Sequence, residues 1–240
     1  MLEVKDLSLK LEGKQIFENI SFSVGKGELL AICGPNGSGK SCLLKTVKGL
    51  LKQNNGSVLV QGKEQDCSER LLSTGLVFQD ADVQTVGETV EKDIAFGPRN
   101  LRWSDEKVKQ STEEVISLLG MQEYRKKRPQ ILSGGEKRCL AIAGVLAMHP
   151  GVVMMDEVFS NLDYPSVQMV LKAVLKLKEE GIAVIIVSHD TEIFLAHADK
   201  VLVVDGGKSV YCGKPDASLE VLKKHSVHVS DIPLEKMTWL

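Results

Sequence analysis

Eight consecutive residues, Gly34-Pro35-Asn36-Gly37-Ser38-Gly39-Lys40-Ser41, constrain this chain more than any other stretch. The run Glu28-Leu29-Leu30-Ala31-Ile32-Cys33 before them reads as a short buried strand. After them, Lys40 to Leu51 carries apolar residues at Leu43, Leu44, Val47, Leu50 and Leu51, a helical spacing. A glycine-rich loop set between a strand and a helix lets backbone N–H groups converge on phosphate oxygens without side-chain clash. The helix N-terminus adds the positive end of its dipole. Lys40 is placed to give a cation to the β- and γ-phosphates, and Ser41 a hydroxyl to a magnesium ion. A chance glycine turn would lack those flanks. The stretch Gly34 to Ser41, with Cys42 after it, therefore predicts a nucleoside triphosphate site.

Phosphate loops serve many purposes, and a second motif narrows them. Leu132-Ser133-Gly134-Gly135-Glu136-Lys137-Arg138 contains Ser-x-x-Glu, a capping box that starts a helix running toward Met148. On its own this is an ordinary N-cap. The paired glycines leave the helix end bare, so an anion can approach it. Val152-Val153-Met154-Met155-Asp156-Glu157 reads as a buried strand ending in two acids. Ser160-Asn161-Leu162-Asp163 follows it, His189 follows the apolar strand Ile182 to Val187, and Gln79 ends the strand Gly75-Leu76-Val77-Phe78. Taken singly, His189 and Gln79 read as plain surface or strand-end residues.

In this order the motifs resemble those of ATP-binding-cassette (ABC) ATPases, and the resemblance runs from about Leu2 to Gly213. It implies an α/β P-loop NTPase core with an N-terminal antiparallel β subdomain and an α-helical signature subdomain. It also implies ATP and Mg2+ as ligands. Asp156 would hold magnesium through water, with Ser41 and Gln79 beside it. Glu157 would orient or deprotonate the attacking water, and His189 would sense the γ-phosphate. Ser133, Gly134, Gly135 and Glu136 would cover the nucleotide of a second subunit, and Asp163 would sit in the loop that crosses between subunits.

Composition bounds the rest. At 240 residues the chain fits one large domain or a core with a subdomain, and its 43% hydrophobic content suffices for a sizeable core. A formal net charge of -2 gives no electrostatic reason to expect nucleic acid as a partner. The basic run Tyr124-Arg125-Lys126-Lys127-Arg128 reads mainly as a solvated helix end or loop. Five cysteines, at 33, 42, 67, 139 and 212, show no paired metal-ligand spacing, and an odd number suits a reducing cytosol. Cys33 and Cys139 read as small buried hydrophobes. The first residues alternate like a strand rather than a signal segment. No apolar run approaches the ~20 residues that span a bilayer, so transport would need another chain to form the path.

Along the chain, Val4 to Leu11 and Ile16 to Val24 read as paired strands around Gly13-Lys14. Ser57 to Val60 and Gly75 to Gln79 are further strands. Glu88 to Met148 turns helical, with Ser104 as an N-cap and Val108, Val115, Ile116, Leu118 and Leu119 as an apolar stripe ending at Gly120. Pro165 suits the first turn of a helix that Gly181 terminates. Asp205-Gly206-Gly207 reads as a hairpin turn. The expected division is a nucleotide-binding domain over 1–225, with its helical subdomain at about 88–148, and a tail over 226–240 to which no role is assigned.

The stretch Gln79-Asp80-Ala81-Asp82-Val83-Gln84, followed by Thr89-Val90-Glu91-Lys92-Asp93-Ile94-Ala95-Phe96-Gly97-Pro98, resembles the ATPase subunits of energy-coupling factor transporters, including cobalt and nickel importers. A generic amphipathic helix with a Gly-Pro stop explains its periodicity but not the match. The resemblance implies a peripheral subunit on the cytoplasmic face of the cell membrane. Its partners would be a second ATPase subunit, the same or a related chain, a transmembrane coupling protein and a membrane substrate-binding protein. The groove for the coupling protein would lie around Gln79 to Leu101, and the cargo would be a vitamin or a metal ion. Three positions depart from the family pattern. Cys42 stands where threonine is usual, Val158 where proline is usual, and Leu11 where an aromatic stacks on adenine. Phe17 or an aliphatic surface would then hold the base. The competing readings are a cytosolic ATPase of translation or DNA repair and an export or cell-division cassette. Against repair types, no sustained heptads separate Ser41 from Ser133.

Overall fold

The computed structural model describes residues 1–240. Ten strands and eight helices make two sheets and their covering layers. β1 (Leu2–Leu11), β2 (Lys14–Val24), β4 (Asn55–Val60) and the two-residue β5 (Lys63–Glu64) form an antiparallel sheet in the order β2-β1-β4-β5. The larger sheet has the order β10-β9-β3-β8-β7-β6, from β3 (Leu29–Cys33), β6 (Thr74–Val77), β7 (Val152–Asp156), β8 (Ala183–Val187), β9 (Lys200–Asp205) and β10 (Lys208–Gly213). Its pairings are parallel except for β9 with β10, the hairpin turned by Gly206 and Gly207.

Strand alternation divides the interior in two. Leu29, Ala31 and Cys33 of β3 point into one core, with Val153, Met155, Val184 and Ile186. Leu30 and Ile32 point into the other, with Val152, Met154, Ile185 and Val187. The second core fills the space between the two sheets and takes in Leu43, Leu44 and Val47 of α1 (Lys40–Lys48). The first is covered by α3 (Val90–Ile94), α5 (Asp105–Leu119), α6 (Gly134–Leu146), α7 (Tyr164–Glu179) and α8 (Pro215–Lys224). Fully apolar strands such as Ala183–Val187 are what a sheet buried on both faces demands.

Several expectations need adjustment. The helical stretch from Glu88 is broken, with α3 ending before α4 (Phe96–Asn100) at Ala95. The strand expected to reach Gln79 stops at Val77. There the Gln84 side chain takes over its hydrogen bonds, donating to Leu76 O (3.1 Å) and accepting from Phe78 N (2.7 Å). α2 (Cys67–Ser73) is a helix beyond those expected, started by a complete capping box of Asp66 and Glu69. Within the basic run, Arg125 is fastened rather than solvated. Its guanidinium pairs with Glu91 of α3 and Glu113 of α5.

The tail also packs down. Val227, Val229 and Met237 are buried and belong to the larger core.

Candidate functional site at the ends of the parallel strands

Register brings the functional residues together. Ile32 and Asp156 both lie level with Val187 on β8, and Met155 lies level with Val77. The residues that follow, from Gly34, Glu157, Ser188 and Phe78, therefore leave the sheet along one edge, at the carboxyl ends of parallel strands where ligand crevices form.

The loop Gly34–Gly39 is shaped by what it excludes. At Gly34 (φ +150°) a Cβ would lie 1.9 Å from Val204 O, so only glycine fits. Gly39 (φ +99°) precedes α1 and offers no side-chain cap, which leaves the first N–H groups of that helix open to an anion. Ser38 is buried and its Oγ has no hydrogen-bond partner. Lys40 is buried, and its Nζ donates to Gly34 O (2.7 Å) and Pro35 O (2.9 Å). Burial pulls its ammonium below the usual lysine range, with the negative charge of Glu157 opposing. Asn36 and Gly37 form the exposed tip. An orphaned hydroxyl, an uncapped helix end and a lysine folded over the loop fit a polyphosphate.

Ser41 Oγ donates to Asp156 Oδ1 at 3.0 Å. Burial pushes the Asp156 carboxyl above its usual range, partly offset by that bond. A hydroxyl and a carboxylate are the hard oxygen donors that suit magnesium. Gln79 is exposed in the stretch after β6 and makes no hydrogen bond to this pair. Cys42 is partly buried in the first turn of α1. Burial pushes the Cys33 and Cys139 thiols up to about 12, as inert core residues require.

Glu157 leaves β7 with φ +51°, a left-handed conformation that costs a non-glycine residue about 1–3 kcal/mol. Its neighbours hold it there. Its N–H donates to Val187 O (2.9 Å), and Oε2 accepts from Ser160 Oγ (3.2 Å) and from His189 Nδ1 (3.0 Å). That bond to Glu157 raises the His189 imidazole above the usual histidine range, with burial opposing. Nε2 of the same ring lies 3.5 Å from Asp190 Oδ2. Lys40, Asp156, Glu157 and His189 thus form one charged group on three strand ends.

The second motif sits elsewhere. Ser133 caps α6 and Glu136 closes the capping box in return, by a 2.7 Å bond from Ser133 N. Gly134 is exposed, and no hydrogen bond joins residues Ser133 to Glu136 to the phosphate loop of the same chain. Gly135 has a packing reason, since a Cβ there would meet Ser166 Cβ at 2.7 Å. α6 and α7 approach that closely at their starts, where Asp163 caps α7 by accepting from Ser166 N (3.2 Å).

One further residue joins these parts. Arg138 is buried on α6 and donates to Phe78 O (3.2 Å) and Ser160 O (3.5 Å), tying the stretch before Gln79 to the loop before Asp163. Phe17 is corrected as a base-stacking residue. It is fully buried behind Gly39, so only aliphatic surface such as Leu11, at the exposed end of β1, remains available on this hairpin.

A phosphate loop and a buried aspartate–glutamate strand end, beside a separately carried glycine-rich helix start, define a P-loop ATPase. The comparisons specify which. Residues 17–160 match the family described as ABC transporter. The energy-coupling factor transporter ATP-binding protein EcfA of Methanocaldococcus jannaschii is 36% identical over 238 residues, covering 95% of this chain and 85% of its own. The protein of the same name from Methanothermobacter thermautotrophicus is 38% identical over 221 residues, covering 90% and 71%. Among solved structures, cbiO1 from Clostridium perfringens, part of the ABC transporter complex cbiONQ, superposes with a TM-score of 0.84. It is 32% identical and covers 93% of each chain. The chain belongs to the ABC transporter family, as one of its ATP-hydrolysing subunits.

Proposed function

We propose that this chain powers an energy-coupling factor type importer by binding and hydrolysing ATP in a head-to-tail pair of ATPase subunits. The observation that carries the reading is the separation of two half-sites. Lys40, Ser41, Asp156, Glu157 and His189 converge on one crevice. The capped helix start at Ser133, Gly134 and Gly135, exposed at Ser133 and Gly134, is bonded to none of it. Each half-site is intact, so two copies, or this chain and a related one, can complete each other's sites.

In this reading Gly34 to Ser41 and Cys42 hold the triphosphate, and Ser41, Gln79 and, through water, Asp156 would hold Mg2+. The ion, when bound, neutralises charge on the β- and γ-phosphates. Glu157 takes a proton from the attacking water as the water oxygen bonds to the γ-phosphorus and the bond to ADP breaks. His189, bonded to Glu157, senses the γ-phosphate and orients that carboxylate, and Ser133 to Glu136 of the second subunit close over the nucleotide, with Asp163 in the crossing loop. The cassette spans 1–225, with a helical subdomain at about 88–148 and a tail over 226–240.

No helix is long and apolar enough to cross a membrane. We assign the subunit to the cytoplasmic face, docked on a transmembrane coupling protein that works with a membrane substrate-binding protein for a vitamin or metal ion. The docking segment runs from Gln79 to Leu101, where Val83, Val86 and Phe96 are exposed large apolar side chains. The names of the two EcfA relatives support this class.

Mixing two dead variants tests the shared site. Lys40→Ala disables the phosphate loop, and Ser133→Arg puts bulk and charge on the signature helix start. Each alone should be inactive. Mixed one to one, half the pairs carry one intact composite site, so about a quarter of the parent activity should return. Activity in Ser133→Arg alone, or none in the mixture, would reject the composite site.

A further inference from the structure

The segment that carries His189 has little structure of its own. After Asp190 it makes two 3-10 turns, Thr191–Ile193 and Leu195–His197. The tail supplies what these turns lack. Thr191 Oγ1 donates to His228 O (3.3 Å), Ser230 N donates to Glu192 Oε1 (3.0 Å), and Ala196 N donates to Met237 O (3.1 Å). His197 Nε2 and Thr238 Oγ1 are 2.7 Å apart.

Trp239 extends this binding to a second element. Its backbone N–H donates to Ile193 O (3.3 Å), and its backbone carbonyl accepts from Gln168 Nε2 of α7 (2.8 Å). Its ring lies 5.4 Å, centroid to centroid, from that of Tyr164, which directly follows Asp163. Trp239 also lines a cavity of about 350 Å3 with Gly34, Pro35, Asn36, His189 and Asp190. One residue therefore spans the loop of His189 and the first turns of the helix capped by Asp163, at the rim of the phosphate loop.

We propose that Trp239 is a positioning residue for ATP hydrolysis, a strap that holds the His189 segment against α7 and so keeps His189 on Glu157. This rests on the roles of Glu157 and His189 proposed above. The strap matters because the His189 side chain is 54% exposed, so little packing fixes its ring. A displacement of about 1 Å in such a group can cost on the order of 10²-fold in rate.

The test uses the full chain, with phosphate release measured across ATP concentration and thermal melts run in parallel. Trp239→Ala should lower kcat about tenfold while KM for ATP stays within about twofold. Trp239→Phe, which keeps a ring against Tyr164, should recover most of the loss. Gln168→Leu leaves the indole in place, removes the bonds from Nε2 to the Trp239 carbonyl (2.8 Å) and to Tyr164 Oη (3.3 Å), and should lower kcat about three- to tenfold. It carries the test alone if Trp239→Ala does not fold. Unchanged kcat in both Trp239→Ala and Gln168→Leu would overturn the strap, as would a Phe variant no better than Ala or a rise in KM with kcat intact. Glu157→Gln separates the two layers. If it stays active, the catalytic reading has failed. If it is dead while the Trp239 and Gln168 variants are normal, only the strap has.

Discussion

Glu157→Gln discriminates most sharply between a catalytic and a structural role for that side chain. The amide keeps the size of the carboxylate and an oxygen that can still accept from Ser160 Oγ. It also keeps the φ of +51°, so no backbone strain is released. What it loses is negative charge toward His189, in a pair whose histidine is 54% exposed. An ion pair that wet is worth about 0–1 kcal/mol. For a chain of this size that is a fall in Tm of at most about 2–4 °C. Loss of a general base is a different order of effect, about 10²–10⁴ in turnover, or roughly 2.7–5.4 kcal/mol of barrier. The assay is steady-state phosphate release beside a thermal melt, with ATP binding measured by filter retention. We expect near-normal binding, near-normal Tm and turnover down by at least about 10²-fold. Turnover within tenfold of the parent would refute Glu157 as the base. So would a matching collapse in Tm, because the loss would then be structural.

Two further outcomes follow from the geometry. Gly135→Val should destabilise the chain by about 1–3 kcal/mol, the cost of overpacking, because its side chain would be driven into Ser166. A denaturant midpoint unchanged from the parent would show that α6 and α7 do not press together as described. His189→Gln should reveal a pH-dependent stability difference. The folded-state pKa of His189 is raised by Glu157, so its contribution is fully present below the unfolded value of about 6.5 and is lost as pH rises through the folded value. The Tm gap between parent and variant should therefore be widest near pH 5–6 and close toward pH 9. A gap that grows with pH would contradict the assignment.

Local chemistry made part of this molecule readable in advance. The phosphate loop declares itself because glycines, lysine, flanking strand and flanking helix all lie within one short stretch. The Ser133–Glu136 capping box and the apolar run of β8 are equally self-contained. What escaped depends on partners far away in sequence. Arg138 reads as one more helix-surface cation, since its acceptors are backbone carbonyls of Phe78 and Ser160, which leave no trace in residue identity. Val227, Val229, Met237 and Trp239 follow no period, because they pack onto irregular turns and the side of α7 rather than into a repeating lattice. Phe17 suggested a stacking ring by type, but β2 turns it inward. The capping box of α2, Asp66 with Glu69, is as local a signal as that of Ser133 and Glu136.

The Arg138 guanidinium and the side-chain-free approach at Gly135 together have a mechanical meaning. A push arriving at residues 78–82, where Lys137 also pairs with Asp82, is delivered directly to α6. It meets the Arg138 guanidinium, bonded to Phe78 O and Ser160 O, and Gly135 pressed against Ser166. Through α6, residues 78–82 are thus joined by direct contact to the stretch from Ser160 to Ser166, which includes Asp163 at the start of α7.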